Sequence, residues 1–340
     1  MRSPRLLLAS LVLLTFSGCG RSMLPTAVRD GATPFAPVDR FRAFAVPTNN
    51  SQPRHIALGA DGLEWFTESN QGAAKVGRVD AKGKITEFAV PNTGAGTDDI
   101  TLGPDGALWF TGPSGFPDFF VGRVTTDGVF TGFSPDCDPL AGCSIVPNGI
   151  TTGPDGNLWF TESLRNSVVR LTPAGVFTFF VLPTAGANPG GIASGSDGNL
   201  WFTESNANQI ARVNPTTGAV TEFGGVTGSP NRITAGPDGN LWFTEPFPFD
   251  NRIGRITTAG VVTEFQLANN AQPRDIVAGP DGNLWFTEYF AGQLAKITPT
   301  GVVTEVQAVK GGPWGIGRGS DGMIWMTVFD GNRVGRFTLL

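Results

Sequence analysis

The chain has 340 residues, rich in Gly (47) and Pro (26), with 40% apolar residues and a net charge of -5 from 24 basic and 29 acidic side chains. That length and turn-forming content suit a single large β domain and leave ample sequence for a core. The acidic balance and the lack of a basic stripe exclude nucleic acid as an expected partner.

At the N terminus, Arg2 and Arg5 precede the apolar run LLLASLVLLTF (6–16), which is too short to span a bilayer and ends at small residues before Cys19. This pattern predicts an export signal over residues 1–19. The string FSGC, from Phe16 to Cys19, resembles a bacterial lipobox. That implies lipidation of Cys19 and a membrane-anchored lipoprotein, periplasmic or on the cell surface. The other reading is a cleaved signal peptide, a secreted protein and an incidental cysteine. No later stretch reaches the length of a transmembrane helix, so membrane contact is expected only through the anchor. Residues 20–40 carry Pro, Ala and Gly without a period and read as a flexible tether.

From residue 41 to 340 an internal repeat takes over. The string GPDGNLWFTE occurs at 153–162, 236–245 and 279–288, and Trp65, Trp109, Trp159, Trp201, Trp242, Trp285 and Trp325 recur at intervals of 40 to 50 residues. Seven units of that length predict an all-β fold, a seven-bladed β-propeller with four-stranded blades. Val, Ile, Phe, Thr and Trp favour strands, and an Asp-Gly pair such as Asp155-Gly156 supplies a tight first hairpin in every copy. Adjacent Trp and Phe point to opposite faces of a sheet, so both are expected in the core between blades. The last copy stops after three strands, and FRAFAVP (41–47) matches ITEFAVP (85–91), so the N-terminal strand should complete the last blade. A ring closed in this way needs no partner to cover its edges, and a monomer is expected.

A basic residue recurs on each third strand: Arg78, Arg123, Arg170, Arg212, Arg255, Lys296 and Arg336. Glu87, Glu222, Glu264 and Glu305 on the following strand are expected opposite some of them as cross-strand pairs. Cys137 and Cys143 lie in the insertion SPDCDPLAGCSIVP. In an exported protein they read as a short local disulfide, because two thiols with no nearby His make half a metal site.

Function in such a ring is expected at the mouth of the central channel. The positions just before the innermost strand are Arg54, Asp98, Asn148, Gly190, Asn231, Arg274 and Trp314, and they differ between copies where the turns do not. A differentiated binding site varies in this way, and so does an unconstrained surface.

Residues 41–340, with their PxxI, GPDGxLWFTE and IGRI elements, resemble the streptogramin B lyases, the virginiamycin B lyase family. The resemblance implies an enzyme that opens a cyclic depsipeptide by elimination at its ester linkage, using magnesium and a histidine base. It implies Pro-His before the innermost strand of the last two repeats, a metal-binding Glu before the final Pro, and an acidic ligand just past the last Trp-Phe element. Those places hold Pro273-Arg274, Gly312-Pro313-Trp314, and Thr327-Val328 after Trp325-Met326. Trp314 cannot take a proton, Arg274 stays protonated, and neither Gly312 nor Val328 offers a side-chain oxygen to a hard cation. The single histidine, His55, comes one place later than the family's, where strand alternation turns it to the other face as a packed or surface residue.

Three functions follow from these residues. A binding or interaction module would use Arg54, Arg274 and Trp314 at the channel mouth to hold a small-molecule or protein ligand that is anionic or aromatic. A lyase would run the family reaction with other residues. A metal-dependent hydrolase or lactonase would gather Asp98, Asn148 and Asn231 with Glu204, one of the Glu residues that follow the Trp strands, around Mg²⁺ or Ca²⁺. The missing His and acidic groups favour the first.

Overall fold

The computed structural model describes residues 40–339 except 71–73, 92–95, 113–120, 136–144, 247–250 and 269. Cys19, the expected signal and tether, and the Cys137–Cys143 pair lie outside the described residues. The described residues form seven four-stranded antiparallel sheets. Blades one to seven begin with the innermost strands Pro53–Leu58, Ile100–Leu102, Pro147–Thr152, Pro189–Ser194, Ile233–Ala235, Pro273–Ala278 and Pro313–Arg318. The expected closure is present. Phe41–Ala45 pairs with Arg333–Phe337 as the outer strand of blade seven, and the Thr338 N–H donates to the Arg40 carbonyl at 2.8 Å.

The core lies between blades. Trp65 packs with Phe110, Trp109 with Phe160, Trp159 with Phe202, Trp201 with Phe243, and Trp242 with Phe286. Met326 takes the Phe seat against Trp285, its flexible thioether filling the gap, and Trp325 closes the ring on Phe66. Each blade thus presents Trp to one neighbour and Phe to the other, as period-two alternation requires. Gly77 shows how closely the rings are seated: a Cβ there would lie 2.1 Å from the Phe66 ring.

The Asp-Gly turns form one rim. In blade one the Asp61 Oδ1 accepts from Trp65 Nε1 at 3.1 Å, while Arg78 reaches Oδ2 at 3.3 Å and sits 5.3 Å from the centroids of both the Trp65 and Phe88 rings. Arg123, Arg212, Lys296 and Arg336 repeat the contact with Asp105, Asp197, Asp281 and Asp321. These recurring cations therefore pair with turn aspartates or lie over Trp rings, as Arg170 and Arg255 do, and not with the fourth-strand glutamates expected opposite them. Register is the reason: Arg78 lies opposite Thr86 and Glu87 opposite Gly77, so Arg and Glu project from opposite faces.

Candidate functional site

At the other end of the blades, the innermost strand carries an irregularity that shapes the channel. In blade one, Pro53 pairs with Glu68 and Ile56 with Phe66, so Arg54 and His55 together oppose Thr67. Blades three, four, six and seven shift at the same place. Two residues facing one is the count of a β-bulge, and it suspends the alternation of faces. The Thr opposite fills the space. Thr67 Oγ1 accepts from the His55 N–H and donates to the Asp98 carbonyl of the next blade, and Thr327 Oγ1 donates to the Arg54 carbonyl, carrying the pattern across the seam.

The bulge produces two layers of channel residues. Asp98, Asn148, Gly190 and Asn231 line a mouth hollow of about 160 Å³, together with Arg232. Below it, His55, Asp99, Gly191, Arg232 and Asp275 line a second hollow of about 130 Å³. This deeper layer escapes a strict alternation argument, and His55 is buried toward the axis instead of on the opposite face. The available signal was that the position before each Ile also varies: His55, Asp99, Gly149, Gly191, Arg232, Asp275 and Gly315. Gly315 is needed for close approach, since a Cβ there would lie 2.2 Å from the Arg54 carbonyl oxygen.

Arg232 crosses the channel. Its guanidinium donates to Asp99 Oδ2 at 2.8 Å and to His55 Nε2 at 2.6 Å. The same guanidinium lies 3.2 Å from His55 Nδ1, which is itself 3.1 Å from the Asp98 carbonyl oxygen. Burial opposes ionisation of Asp98, but His55, Arg232 and Arg54 outweigh it and hold its carboxyl below the usual range. Burial raises Asp275, with His55 and Arg232 only partly offsetting it. Burial likewise opposes the charge on Arg232, yet Asp99, Asp98 and Asp275 raise it above its ordinary value. Asp99 and Asp275 also accept the N–H of Ile150 and Ile316 in the next blades, at 3.1 and 3.0 Å. The deep layer is therefore a plug of buried polar and charged side chains that joins blades.

Arg54, Arg274 and Trp314 come together at the mouth, where blades six, seven and one meet. Arg274 lies 4.4 Å from the Trp314 ring centroid and 5.3 Å from that of Tyr289, and Trp314 stacks on Phe329 with centroids 4.8 Å apart. Arg54 is 5.6 Å from Trp314 on its way to an ion pair with Asp98 at 2.9 Å. Arg274 makes no ion pair with a carboxylate among the described residues. Burial, then Arg54 and Arg232 nearby, depress its pKa. A half-buried guanidinium on an aromatic wall, repelled by two others, favours an incoming anion or carbonyl oxygen.

Asp98, Asn148 and Asn231 share the mouth hollow, and Asn148 Nδ2 donates to the Pro189 carbonyl at 2.9 Å. Glu204 stands apart from them, wholly buried at the end of its blade's second strand opposite Pro189. Burial and Glu222 push its pKa up to about 8. The places where the resemblance implies magnesium ligands present the bare backbone of Gly312 and the buried isopropyl group of Val328. Among the described residues no group of three or more His, Cys, Asp or Glu is arranged to hold a metal. The residues at those places do not fit the ion.

The chain matches the virginiamycin B lyase family over residues 36–137 and 121–339. It is 35% identical to a streptogramin B lyase of solved structure, covering 88% of this chain and 97% of that one with a TM-score of 0.77. It is 34% identical to virginiamycin B lyase from Staphylococcus aureus, covering 88% and 99% of the two chains at a TM-score of 0.78. The same figures hold for a catalytically inactive histidine-to-alanine variant of that enzyme with quinupristin. No curated protein matches.

Proposed function

The chain belongs to the virginiamycin B lyase family, and we propose that within it this protein is a binding module whose site is the channel mouth. The observation that carries this reading is Arg274, stacked 4.4 Å over Trp314 with no carboxylate partner among the described residues. The complementary ligand has a flat apolar part to lie against Trp314, Tyr289 and Phe329 and an anionic or carbonyl group for Arg274. The Arg54–Asp98 pair and the Asn148 and Asn231 side chains offer donors and acceptors beside it. Quinupristin, present with the S. aureus relative, is the first ligand to try, followed by aromatic carboxylates.

Calorimetry on the purified domain from residue 40 tests this. Arg274→Ala should weaken binding about tenfold, roughly 1.4 kcal/mol, and Trp314→Ala by a similar factor. Unchanged affinity in both variants would sink the mouth as the site. Family membership favours a second reading, a carbon–oxygen lyase working with other residues than the family's. Ring-opened product by mass spectrometry after incubation with quinupristin would establish it, and a metal-dependent lactonase would declare itself in the same assay format with lactones and added Mg²⁺ or Ca²⁺.

The N-terminal pattern of Arg2, Arg5, the apolar run and FSGC supports export and anchoring through Cys19. Palmitate labelling lost in Cys19→Ala, with release of the protein from the membrane fraction, is the expected result.

A further inference from the structure

Blades one, four and five build the same small cluster on the mouth side of the sheet, and the three versions differ in one residue. In blade one, Glu68 ends the second strand opposite Lys75, and the Lys75 ammonium lies 3.0 Å from Glu87 Oε2. Thr48 from the preceding loop donates its N–H and its hydroxyl to Glu87, both at 2.9 Å. In blade five, Glu245 ends the second strand opposite Arg252, which lies 3.6 Å from it, and Thr227 donates in the same way to Glu264. Each pair of carboxylates thus has a tethered cation beside it.

Blade four repeats the frame without the cation. Glu204 ends the second strand opposite Gln209, and Thr184 donates its N–H and hydroxyl to Glu222, both at 2.8 Å. Glu204 is 0% exposed, it lies within hydrogen-bonding reach of Glu222, and neither of its oxygens has a donor among the described residues. The Gln209 Oε1 faces the same Thr184 hydroxyl at 3.4 Å. Where blade one places an ammonium, blade four turns inward two carboxyl groups, a carboxamide oxygen and a hydroxyl.

We propose that this cluster of Glu204, Gln209, Glu222 and Thr184 binds a divalent cation, calcium, in the position that Lys75 fills in blade one. The ligand set is all oxygen, with two carboxylates to balance the charge, and its irregular geometry suits the flexible coordination of calcium better than the strict octahedron of magnesium. The site is separate from the channel mouth, so it stands whether or not the mouth binds a ligand.

The test uses the purified domain from residue 40 stripped with chelator, then titrated with calcium chloride by calorimetry and followed by thermal unfolding, with magnesium chloride as the comparison. Wild type should take up calcium and gain about 3 °C or more in Tm at saturation. Gln209→Lys installs the cation of blade one and should lose one calcium per chain while unfolding in chelator at a higher temperature than wild type. Glu204→Gln, which keeps the shape and removes the charge, should lose the same calcium. No calcium uptake by wild type, or uptake unchanged in Gln209→Lys, overturns the proposal. In the first case, stability that falls more steeply with rising pH in wild type than in Gln209→Lys would identify a shared proton as the sole occupant.

Discussion

The two ends of the propeller follow opposite rules. At the Asp-Gly rim every blade uses the same parts, an aspartate that accepts from a Trp indole and, in most blades, a basic residue laid over the Trp ring. At the channel mouth the backbone is just as regular, with a bulge and a threonine in blade after blade, yet the side chains it presents differ at almost every step. Repetition therefore holds the frame, and difference is confined to two layers of residues that the bulge turns toward the axis. The same backbone device that binds blade to blade also frees two positions per blade from the core.

That division can be broken at the frame first. Removing residues 40–47 takes away the outer strand of blade seven and leaves Arg333–Phe337 as an open edge, so thermal unfolding should drop further than for any single substitution, with aggregation through the exposed edge. Trp201→Ala should destabilise by about 3–5 kcal/mol in urea unfolding, because it empties a seat shared by two blades. Affinity measured on the folded fraction should be unchanged. The frame also carries protons: burial and then Asp321 push Glu64 up to about 8, and burial and then Glu87 push Glu68 to the same value. Both groups bind a proton in the fold that the unfolded chain gives up near pH 4.5. Their contribution is complete below that pH and is lost as pH rises through about 8, so stability should fall between those limits. Glu68→Gln should flatten that slope. Arg274→Ala should move stability least, by about 0.5 kcal/mol or less and in either direction, because the guanidinium it removes has two cationic neighbours. A drop as large as that of Trp201→Ala would place Arg274 in the frame and erase the distinction.

Sequence reasoning reached the frame because its causes are local. An Asp-Gly pair needs a tight turn, adjacent Trp and Phe must face opposite ways, and FRAFAVP matches its counterpart well enough to place the seam. It reached the upper layer of channel residues for the same reason, since Arg54, Asp98, Asn148, Asn231, Arg274 and Trp314 stand at a fixed distance from a recurring Ile. The deeper layer was lost because alternation assumes an uninterrupted ladder, and a bulge changes register without changing composition. Arg232 shows the cost most clearly: it bridges blade five to Asp99 of blade two, a contact between residues 133 apart. The pairing of Arg78 with Asp61 was missed through the same dependence on register, and Tyr289 and Phe329 escaped notice because they lie past the second strand, outside the repeated string.

The closing strand fixes how the ring is presented. Phe41 lies opposite Phe337, beside the Asp-Gly turn of blade seven, so the chain arrives at Arg40 on the rim and runs toward the mouth. Anything that holds the protein by the residues before Arg40 grips it by its repetitive end. The end where no two blades are alike is the one that this strand runs toward, away from Arg40.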